Sequence, residues 1–445
     1  MSSSSRAELP LTGADCFLRA FDDEVRRRCG ASHASQLVLR LGVGFDAGRL
    51  AALMERVAAA HPILYAPIRR RGFRPPAYRM DRARPEAAPR VRVHPLQQGR
   101  ALPELFFERM NERFRATRGE LMAVDVVPRE EGRTDMALTW LHMLFDGAGS
   151  EAFVEWLDSV DRGERSVTEL PPDDLEAAAP GMPEGLGARE RGRRATAWQR
   201  WMATMADPAP RSLGGPLRTV PQALRYDLTT FDPAETEAIV ARAKQSAGFL
   251  TPMLFYLATA IRAHDAVFRA RGLAPGAYVV PLPVNLRPKG SEHALFRTRV
   301  SLLWFRVLPE IVGDFEALVA ELKAQRVAAI KAKQIENGAI AMDYARYAPM
   351  RVYAHMARRA ARGELCSFFF AFTGEFAGGI DHFLGAPIEN AFHAPPVPVS
   401  PGSSAAMSLR GGRLNVTHVQ QAGLLSREER QLFQETLRAD LLGIA

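Results

Sequence analysis

The chain is poor in cysteine and contains no long apolar run. Its three cysteines, Cys16, Cys29 and Cys366, lie far apart among 445 residues and form no CxxC pair. This sparse, odd-numbered set indicates reduced thiols and argues against a structural zinc site. The most apolar stretch, residues 249–261, is too short to span a bilayer, and residues 1–8 lack the apolar segment of a signal peptide. We therefore predict a cytoplasmic protein and leave peripheral membrane contact open.

A strong charge imbalance and several catalytic signatures are also missing. Lysine plus arginine number 58 and aspartate plus glutamate 50, so the formal net charge is +8. This mild excess favours an acidic small molecule, an acidic carrier protein or an anionic membrane surface as partner, and we expect no nucleic-acid partner. The sequence contains no GxSxG elbow, no GxxxxGK[ST] phosphate loop and no HExxH motif, which argues against the chemistry of those motifs.

The composition divides the chain into two halves joined by a linker. A length of 445 residues exceeds one typical domain core, and strand and helix patterns alternate on both sides of a stretch rich in Pro, Gly, Ala and Arg. We predict an α/β (α+β) fold with an N-terminal half at residues 1–175, a basic crossover linker at 176–220 and a C-terminal half at 221–445. No short-period repeat is visible, which argues against a solenoid or a propeller.

The linker contains one helical pattern, in which aromatic and methionine side chains recur at i, i+3, i+4 and i+7 after a basic run. Its apolar members are Trp198, Trp201, Met202 and Met205, and the preceding arginines are Arg189, Arg191, Arg193 and Arg194. Two interpretations stay open. The aromatic face packs against one half of the protein with the arginines solvated, or it lies on a lipid surface.

The chemistry of the chain is expected around His142. This residue ends a predicted strand at 136–142, and Asp146 and Gly147 follow it in the spacing HxxxDG. A partly desolvated imidazole, with an unperturbed pKa of about 6.5, is suited to removing a proton near neutral pH. Glycine suits a tight turn, and an aspartate there can hold the loop by pairing with a cation. Two other interpretations remain: a hydrogen-bonded core histidine, or a metal ligand together with Asp146, although no third ligand lies at a helpful local spacing.

The context of this motif resembles a known superfamily. The segment His142-Met143-Leu144-Phe145-Asp146-Gly147 is similar to the HxxxDG motif of chloramphenicol acetyltransferases, nonribosomal peptide condensation domains and bacterial wax ester synthase/diacylglycerol acyltransferases. Further landmarks occur in the family's order, at residues 11–15 (LTGAD), 60–64 (AHPIL), 283–288 (PVNLRP), 368–374 and 385–387 (GAP). The resemblance covers nearly the whole chain, and HxxxDG is its specific motif.

The resemblance implies two chloramphenicol-acetyltransferase-like halves, with mixed sheets flanking a central tunnel. An acyl thioester of coenzyme A or of a phosphopantetheinylated acyl carrier protein would reach His142 from one side, and a hydroxyl or amine acceptor from the other. His142 would be the general base, and Asp146 would face away from substrate and pair with an arginine, for which Arg287 is the best candidate by position. Thr373 could offer a hydroxyl to the developing oxyanion. The resemblance implies no bound cofactor and no metal.

The sequence departs from wax ester synthases at three places. Leu141 replaces the first of two consecutive histidines found in many relatives, although the second is the one with the catalytic role. Thr251-Pro252 stands where an Asn-Asp pair is usual, and residues 371–374 (AFTG) replace an SNxPG-like segment. These changes argue against a standard wax ester synthase and leave the acyl chain and the acceptor open.

We therefore expect an acyltransferase that moves an acyl group from a thioester to a hydroxyl or amine, of the kind used in lipid or natural-product biosynthesis. The alternatives are a stand-alone condensation-like enzyme acting on carrier-bound substrates, and a catalytically silent condensation-like binding module. A basic segment either contacts the phosphates of coenzyme A or an acidic carrier, or forms a solvated helix face. Its arginines are Arg351, Arg358, Arg359 and Arg362.

Overall fold

The computed structural model describes residues 7–99, 101–170, 185–216, 219, 223–287, 294–360 and 363–444. Strands and helices alternate in a mixed α/β fold of two halves. The strands of the first half are β1 (Glu8–Pro10), β2 (Ala34–Leu41), β3 (Ile68–Arg69), β4 (Ala77–Arg79), β5 (Val91–Val93), β6 (Met122–Pro128) and β7 (Thr134–Leu141). Its helices are α1 (Gly13–Arg28), α2 (Ala47–Ala60), α3 (Glu104–Met110) and α4 (Gly147–Asp161).

The second half follows helix α5 (Ala188–Met205). Its strands are β8 (Leu224–Thr230), β9 (Tyr278–Asn285), β10 (Val300–Val307), β11 (Phe369–Glu375), β12 (His382–Phe383), β13 (Ala386–Ala394), β14 (Ser403–Arg410) and β15 (Arg413–Gln421). Its helices are α6 (Pro233–Ala247), α7 (Met253–Ala270), α8 (Phe315–Lys331), α9 (Gln334–Ala345), α10 (Met350–Ala360) and α11 (Arg427–Leu442).

The largest sheet joins strands from both halves. It has six strands in the order β12-β13-β2-β7-β6-β5, so β12 and β13 from the C-terminal half lie beside the strands of the N-terminal half. β13 runs antiparallel to β2, with Phe392 opposite Val38. Every residue of β7 is buried, as expected for a central strand covered on both faces. Because β12 and β13 join the sheet of the N-terminal half, main-chain hydrogen bonds hold the two halves together.

The remaining strands form three smaller sheets. Strands β11, β14, β15 and β8 lie in that order in a four-stranded sheet, β10 pairs with β9, and β4 lies between β1 and β3. β11 runs parallel to β14, whereas β15 is antiparallel to both of its neighbours. There are two main apolar cores. One lies on the β2–β7 sheet with α1, α2 and α4 and also contains residues of the C-terminal half, such as Phe296 and Phe383. The other lies around α7, α8, α11 and the sheets of the C-terminal half.

The sequence pattern also predicts a helix capped by Asp46, a hairpin with arms at 121–127 and 135–141, a strand beginning at 63–65, and two helices at about 314–336 and 341–362. The first two of these predictions are confirmed and the last two are wrong. The β6–β7 hairpin is present, and Asp46 caps α2 as expected. The strand predicted at Ile63–Tyr65 is instead part of a 3₁₀ helix, Pro62–Tyr65, because a short buried apolar run does not distinguish strand from helix. The two long helices predicted between residues 314 and 362 are three, since Lys333 adopts a left-handed φ of 53° that ends the first.

The linker helix α5 packs against the protein. Its Met202 is buried in an apolar cluster with Phe21, Trp304 and Leu365, and the half-buried Trp198 and Trp201 pack on the same cluster. This arrangement favours the packed interpretation of the aromatic face over the lipid-surface one. Residues 176–184, 217, 218 and 220 of the predicted linker lie outside the described residues. Among the described helices, none combines the length and the apolar character of a membrane span.

Candidate active site

The HxxxDG residues form the connection between β7 and α4. β7 ends at Leu141, and α4 begins at Gly147. Asp146 is the N-cap of α4: its backbone is extended, and its Oδ1 accepts a 2.7 Å hydrogen bond from the amide of Gly149. A carboxylate at this position satisfies a main-chain amide that has no partner inside the helix and interacts favourably with the helix dipole. The motif therefore determines locally where the helix begins.

One ring nitrogen of His142 is held by the loop itself. Nδ1 lies 3.2 Å from the carbonyl oxygen of Phe145. Because a carbonyl oxygen can only accept, Nδ1 carries the proton of this hydrogen bond, and Nε2 carries the lone pair. Burial lowers the pKa of His142 below its usual 6.5, although Asp146 and the Phe145 carbonyl act in the opposite direction. The ring is therefore neutral at pH 7, with Nε2 able to take a proton.

Arg287 pairs with Asp146 in a fully buried contact. Nη1 of Arg287 donates to Oδ2 of Asp146 over 2.8 Å, and the two side chains are only 2% and 3% exposed. The same oxygen accepts a 2.7 Å hydrogen bond from the amide of Arg299. Burial alone would raise the pKa of Asp146, but the Arg287 guanidinium and these amides hold it below its ordinary value. Asp146 is therefore ionised, and both of its oxygens are engaged by Arg287 and by main-chain amides.

Arg287 is itself held by the segment that follows it. Its Nε donates a 3.1 Å hydrogen bond to the carbonyl of Ala294, and Nη1 also lies 3.3 Å from Oδ1 of Asn285. Asn285 is the last residue of β9, which places the guanidinium at the end of a strand of the C-terminal half. Pro288, the last residue of the PVNLRP segment, lies outside the described residues.

Residues 294–299 of the C-terminal half, here called the clasp, contact the motif loop at residues 142–147. The amide of Arg297 donates to the carbonyl of Leu144 over 2.7 Å, and the hydroxyl of Thr298 donates to the carbonyl of His142 over 3.4 Å. From the N-terminal half, Tyr78 Oη donates to Met143 over 2.7 Å. The main chain around His142 is therefore fixed by donors from both halves.

Asp15 ties the start of α1 to this clasp. Its carboxylate forms a capping box with Thr12, and its Oδ1 accepts a 2.8 Å hydrogen bond from the amide of Thr298. The segment LTGAD, which carried part of the family resemblance, thus has a structural role beside the site. The sequence could reveal the capping box through the Thr-x-x-Asp spacing, but not the bond to Thr298, 283 positions away.

Two glycines of the loop have close neighbours from the C-terminal half. A Cβ built on Gly149 would lie 2.4 Å from the carbonyl oxygen of Leu295 and 3.0 Å from Nη2 of Arg287. A Cβ built on Gly147 would lie 3.8 Å from Cγ2 of Thr373 and 3.9 Å from Cε1 of His393. Gly149 therefore permits the close approach of the clasp, and Gly147 adjoins the strand that carries Thr373.

Thr373 lies at an irregularity of β11. The β11–β14 register shifts between Phe372 and Gly374, so Thr373 is skipped in the pairing, and Gly374 has a positive φ of 78°. A bulge of this kind re-aims the side chain of the unpaired residue. The Thr373 side chain is exposed and its methyl group is the part that adjoins Gly147. The structure thus brings His142, Asp146, Gly147, Arg287 and Thr373 into one region between the halves.

The arginines of the basic segment in α10 do not share one environment. Arg358 is buried, and its Nη2 and Nε donate to the Glu24 carboxylate on α1 at 2.5 and 3.1 Å. For this residue both sequence interpretations, phosphate contact and solvated face, are wrong, because a charge from the other half neutralises it. Arg351 and Arg359 are exposed, and Arg362 lies outside the described residues.

Four further residues lie beside the loop that the sequence alone did not predict. Ser150 and Glu151 are the fourth and fifth residues of α4, and His393 comes from β13. His33 has its ring centroid 6.3 Å from that of His142. Ser150 lies three positions after the motif in the sequence, whereas His393 becomes a neighbour only because β13 joins the sheet of the N-terminal half. Among the described residues, no group of three or more His, Cys, Asp or Glu side chains is placed to hold a metal ion.

Comparison with known proteins identifies the fold. No protein-family model and no curated protein sequence matches the chain. Among solved structures, it is similar to the trichothecene 15-O-acetyltransferase TRI3 from Fusarium sporotrichioides, with a TM-score of 0.71 and 12% identity, covering 98% of this chain and 95% of that one. It is also similar to the first condensation domain of the calcium-dependent antibiotic synthetase, with a TM-score of 0.69 and 15% identity, covering 98% and 96%.

A third similar structure is the condensation domain of the monacolin K polyketide synthase MokA, with a TM-score of 0.63 and 16% identity, covering 98% of this chain and 97% of that domain. In each case the likeness extends over nearly the full length of both chains, so it includes both halves and their arrangement. The chain thus has the two-lobed mixed α/β fold of condensation domains and of an acetyltransferase.

Proposed function

We propose that this protein is an acyltransferase that moves an acyl group from a thioester to a hydroxyl or amine acceptor, with His142 as the general base. The observation that carries the proposal is the state of the His142 ring. Its Nδ1–H is engaged by the Phe145 carbonyl, burial keeps the pKa of the ring low, and Nε2 is left as the basic atom. General bases in acyl transfer need this combination of a fixed tautomer and a neutral ring.

In the proposed reaction, Nε2 of His142 takes the proton from the acceptor as its oxygen or nitrogen attacks the thioester carbonyl. The tetrahedral intermediate then expels the thiolate, which recovers the proton from Nε2. Asp146 does not touch the reacting atoms. Its pair with Arg287 and its cap on α4 keep the loop, and hence the imidazole, in one orientation.

The intermediate carries a negative oxygen that needs a hydrogen-bond donor. Thr373 is our candidate, because it lies at the β11 bulge beside Gly147, on the C-terminal side of the motif loop. A hydroxyl aimed at the developing charge would stabilise the transition state more than the ground state. We propose no bound cofactor and no metal ion for this chemistry.

The donor is an acyl-coenzyme A or an acyl group on the phosphopantetheine of a carrier protein. Two of the similar structures are condensation domains of synthetases or synthases, and TRI3 is named as an O-acetyltransferase. A stand-alone condensation-like enzyme in natural-product biosynthesis is therefore the second candidate. A wax ester synthase-like activity rests on the sequence landmarks alone.

Products identified by intact mass test the proposal. The protein is incubated with a panel of acyl-coenzyme A donors, and in parallel with acylated carrier protein, together with mixed alcohols and amines. New masses equal to acceptor plus acyl, absent from the His142→Ala variant, are expected. Products from acylated carrier protein alone would favour the condensation-like candidate. Binding of a donor or carrier without any product in either arm would identify a silent binding module and overturn the proposal.

A further inference from the structure

Three polar side chains behind the motif loop take no part in the proposed chemistry. Ser150 and Glu151 are the fourth and fifth residues of α4, and His393 lies on β13 with 9% of its side chain exposed. Ser150 Oγ lies 2.8 Å from the carbonyl of Gly147 and 3.1 Å from Nε2 of His393. On the other side of the ring, Nδ1 of His393 lies 3.6 Å from Oε1 of Glu151.

The shorter of the two Ser150 contacts, the one to the Gly147 carbonyl, assigns the protons of this cluster. The Gly147 carbonyl can only accept, so the single proton of the Ser150 hydroxyl is donated to it. Ser150 Oγ then accepts, and His393 must carry its proton on Nε2. This leaves Nδ1 of His393 as an acceptor that needs a donor. Nδ1 and Oε1 of Glu151 are buried atoms with no hydrogen-bond partner among the described residues.

A proton on Glu151 would satisfy both of these atoms. The other oxygen, Oε2, already accepts a 3.0 Å hydrogen bond from the amide of Ala377, so Oε1 is the oxygen available to carry the proton. An O–H on Oε1 faces Nδ1 directly, and the 3.6 Å separation leaves the two atoms a short approach from hydrogen-bond distance. An ionised Glu151 would instead place two acceptors against each other in a buried setting, which is costly.

We propose that neutral Glu151, His393 and Ser150 form a chain of hydrogen bonds that positions Gly147 and the motif loop. Ionisation of Glu151 breaks this chain and releases the loop. The three are positioning residues: Glu151 Oε1–H donates to His393 Nδ1, His393 Nε2–H donates to Ser150 Oγ, and Ser150 donates to the Gly147 carbonyl. Gly147 directly follows the cap Asp146 and adjoins Thr373. The inference rests on the proposed function for its kinetic consequence, but not for its structural one.

The electrostatic surroundings of Glu151 and His393 agree with both side chains being neutral. Burial raises the pKa of Glu151 to about 8, and Glu155, Asp146 and Glu375 add to the rise against the Ala377 amide. Burial, with His142 nearby, lowers the pKa of His393 to about 3. The charged or titratable groups that face Glu151 are thus Asp146 and Glu155 on α4, Glu375 on β11 and His393 on β13. With three carboxylates around it, Glu151 keeps its proton at neutral pH.

The structural consequence is testable without any substrate. Infrared difference spectra between the wild type and Glu151→Gln should show a protonated-carboxyl band near neutral pH that disappears as the pH rises through about 8. Glu155→Gln is the matched control. It keeps the band but moves its loss to lower pH, because removal of the Glu155 charge lowers the pKa of Glu151. Absence of the band from the wild type near neutral pH would overturn the proposal.

The kinetic consequence uses the same variants. We expect kcat of the wild type to fall above about pH 8, while Glu151→Gln, whose amide keeps a neutral donor, retains near-wild-type kcat and loses this alkaline fall. His393→Ala should lower kcat at every pH, and His393→Gln should recover part of the loss. An alkaline fall that persists in Glu151→Gln overturns the proposal even if the band is present. If no acyl transfer is detected, the infrared titration still decides the protonation of Glu151, so the two proposals fail separately.

Discussion

Arg287 and Asp146 form a buried ion pair across 141 positions of sequence, with Nη1 and Oδ2 2.8 Å apart. The aspartate belongs to the motif loop of the N-terminal half, and the arginine lies two residues after the end of β9 in the C-terminal half. The pair therefore couples the orientation of His142 to the docking of the two halves. A second bond to the same carboxylate, from the Arg299 amide, strengthens that coupling.

Removal of either partner of this pair should be strongly destabilising. Arg287→Ala leaves a buried carboxylate without its cation, so we expect a loss of about 3–5 kcal/mol in the free energy of unfolding. Denaturant unfolding followed by circular dichroism measures it. The control is Arg225→Ala, which breaks an exposed pair with Glu104 and should cost about 1 kcal/mol or less. Equal losses for the two variants would show that the buried pair has no special role.

Gly149 should not tolerate a side chain. In Gly149→Ala the new Cβ would meet the Leu295 carbonyl at 2.4 Å, so the clasp at 294–299 must move away from the loop. We expect a loss of about 1–3 kcal/mol in stability, as for other overpacked sites, and a lower kcat. Gly313→Ala, where a Cβ meets nothing within 4 Å, is the matched control and should be nearly neutral. A stable, fully active Gly149→Ala variant would contradict the close approach.

His142 should be required for turnover but not for folding. We expect His142→Ala to reduce kcat by about 10²–10⁴, the usual effect of losing a general base, with an unfolding transition close to that of the wild type. Single-turnover kinetics and thermal unfolding of the same preparation separate the two effects. Unchanged product formation by His142→Ala would remove the proposed base.

The fall of kcat/KM at acid pH should report the protonation of the His142 ring. A base acts in its unprotonated form, so activity is lost as the pH falls through the pKa of the ring. Because burial lowers this pKa below 6.5, kcat/KM should be flat near pH 7 and reach half its maximum at a pH below 6.5. The profile is measured with circular dichroism at each pH as the control for folding. A midpoint above 6.5 would mean that Asp146 and the Phe145 carbonyl outweigh burial.

Thr373 should contribute through its hydroxyl and not through its shape. Thr373→Val keeps the branched side chain at the β11 bulge but removes the donor, and we expect kcat to fall by about 10²–10³ with KM little changed. Thr373→Ser keeps the hydroxyl and should retain most of the activity. If Thr373→Val and Thr373→Ser have the same kcat, the oxyanion donor is another group.

Local features could be predicted from the sequence because their causes are local. Asp46 before an amphipathic run indicated a capped helix, and alternating apolar residues on either side of a polar turn indicated the β6–β7 hairpin. The same logic failed at Ile63–Tyr65, where three residues carry too little periodicity to separate a strand from a 3₁₀ helix. It also failed at Arg358, since the carboxylate that neutralises it, Glu24, is 334 positions away.

The sequence by itself determined the motif, its spacing and the residue types around His142, because a strand end, a cap and a glycine turn depend on neighbours along the chain. Only the tertiary structure decided what surrounds that loop. The exchange of β13 into the sheet of the N-terminal half brings His393 to Ser150, and the clasp brings Thr298 to His142. These contacts join residues more than 150 positions apart, and their partners are selected by the packing of whole sheets, which no local pattern of side chains encodes.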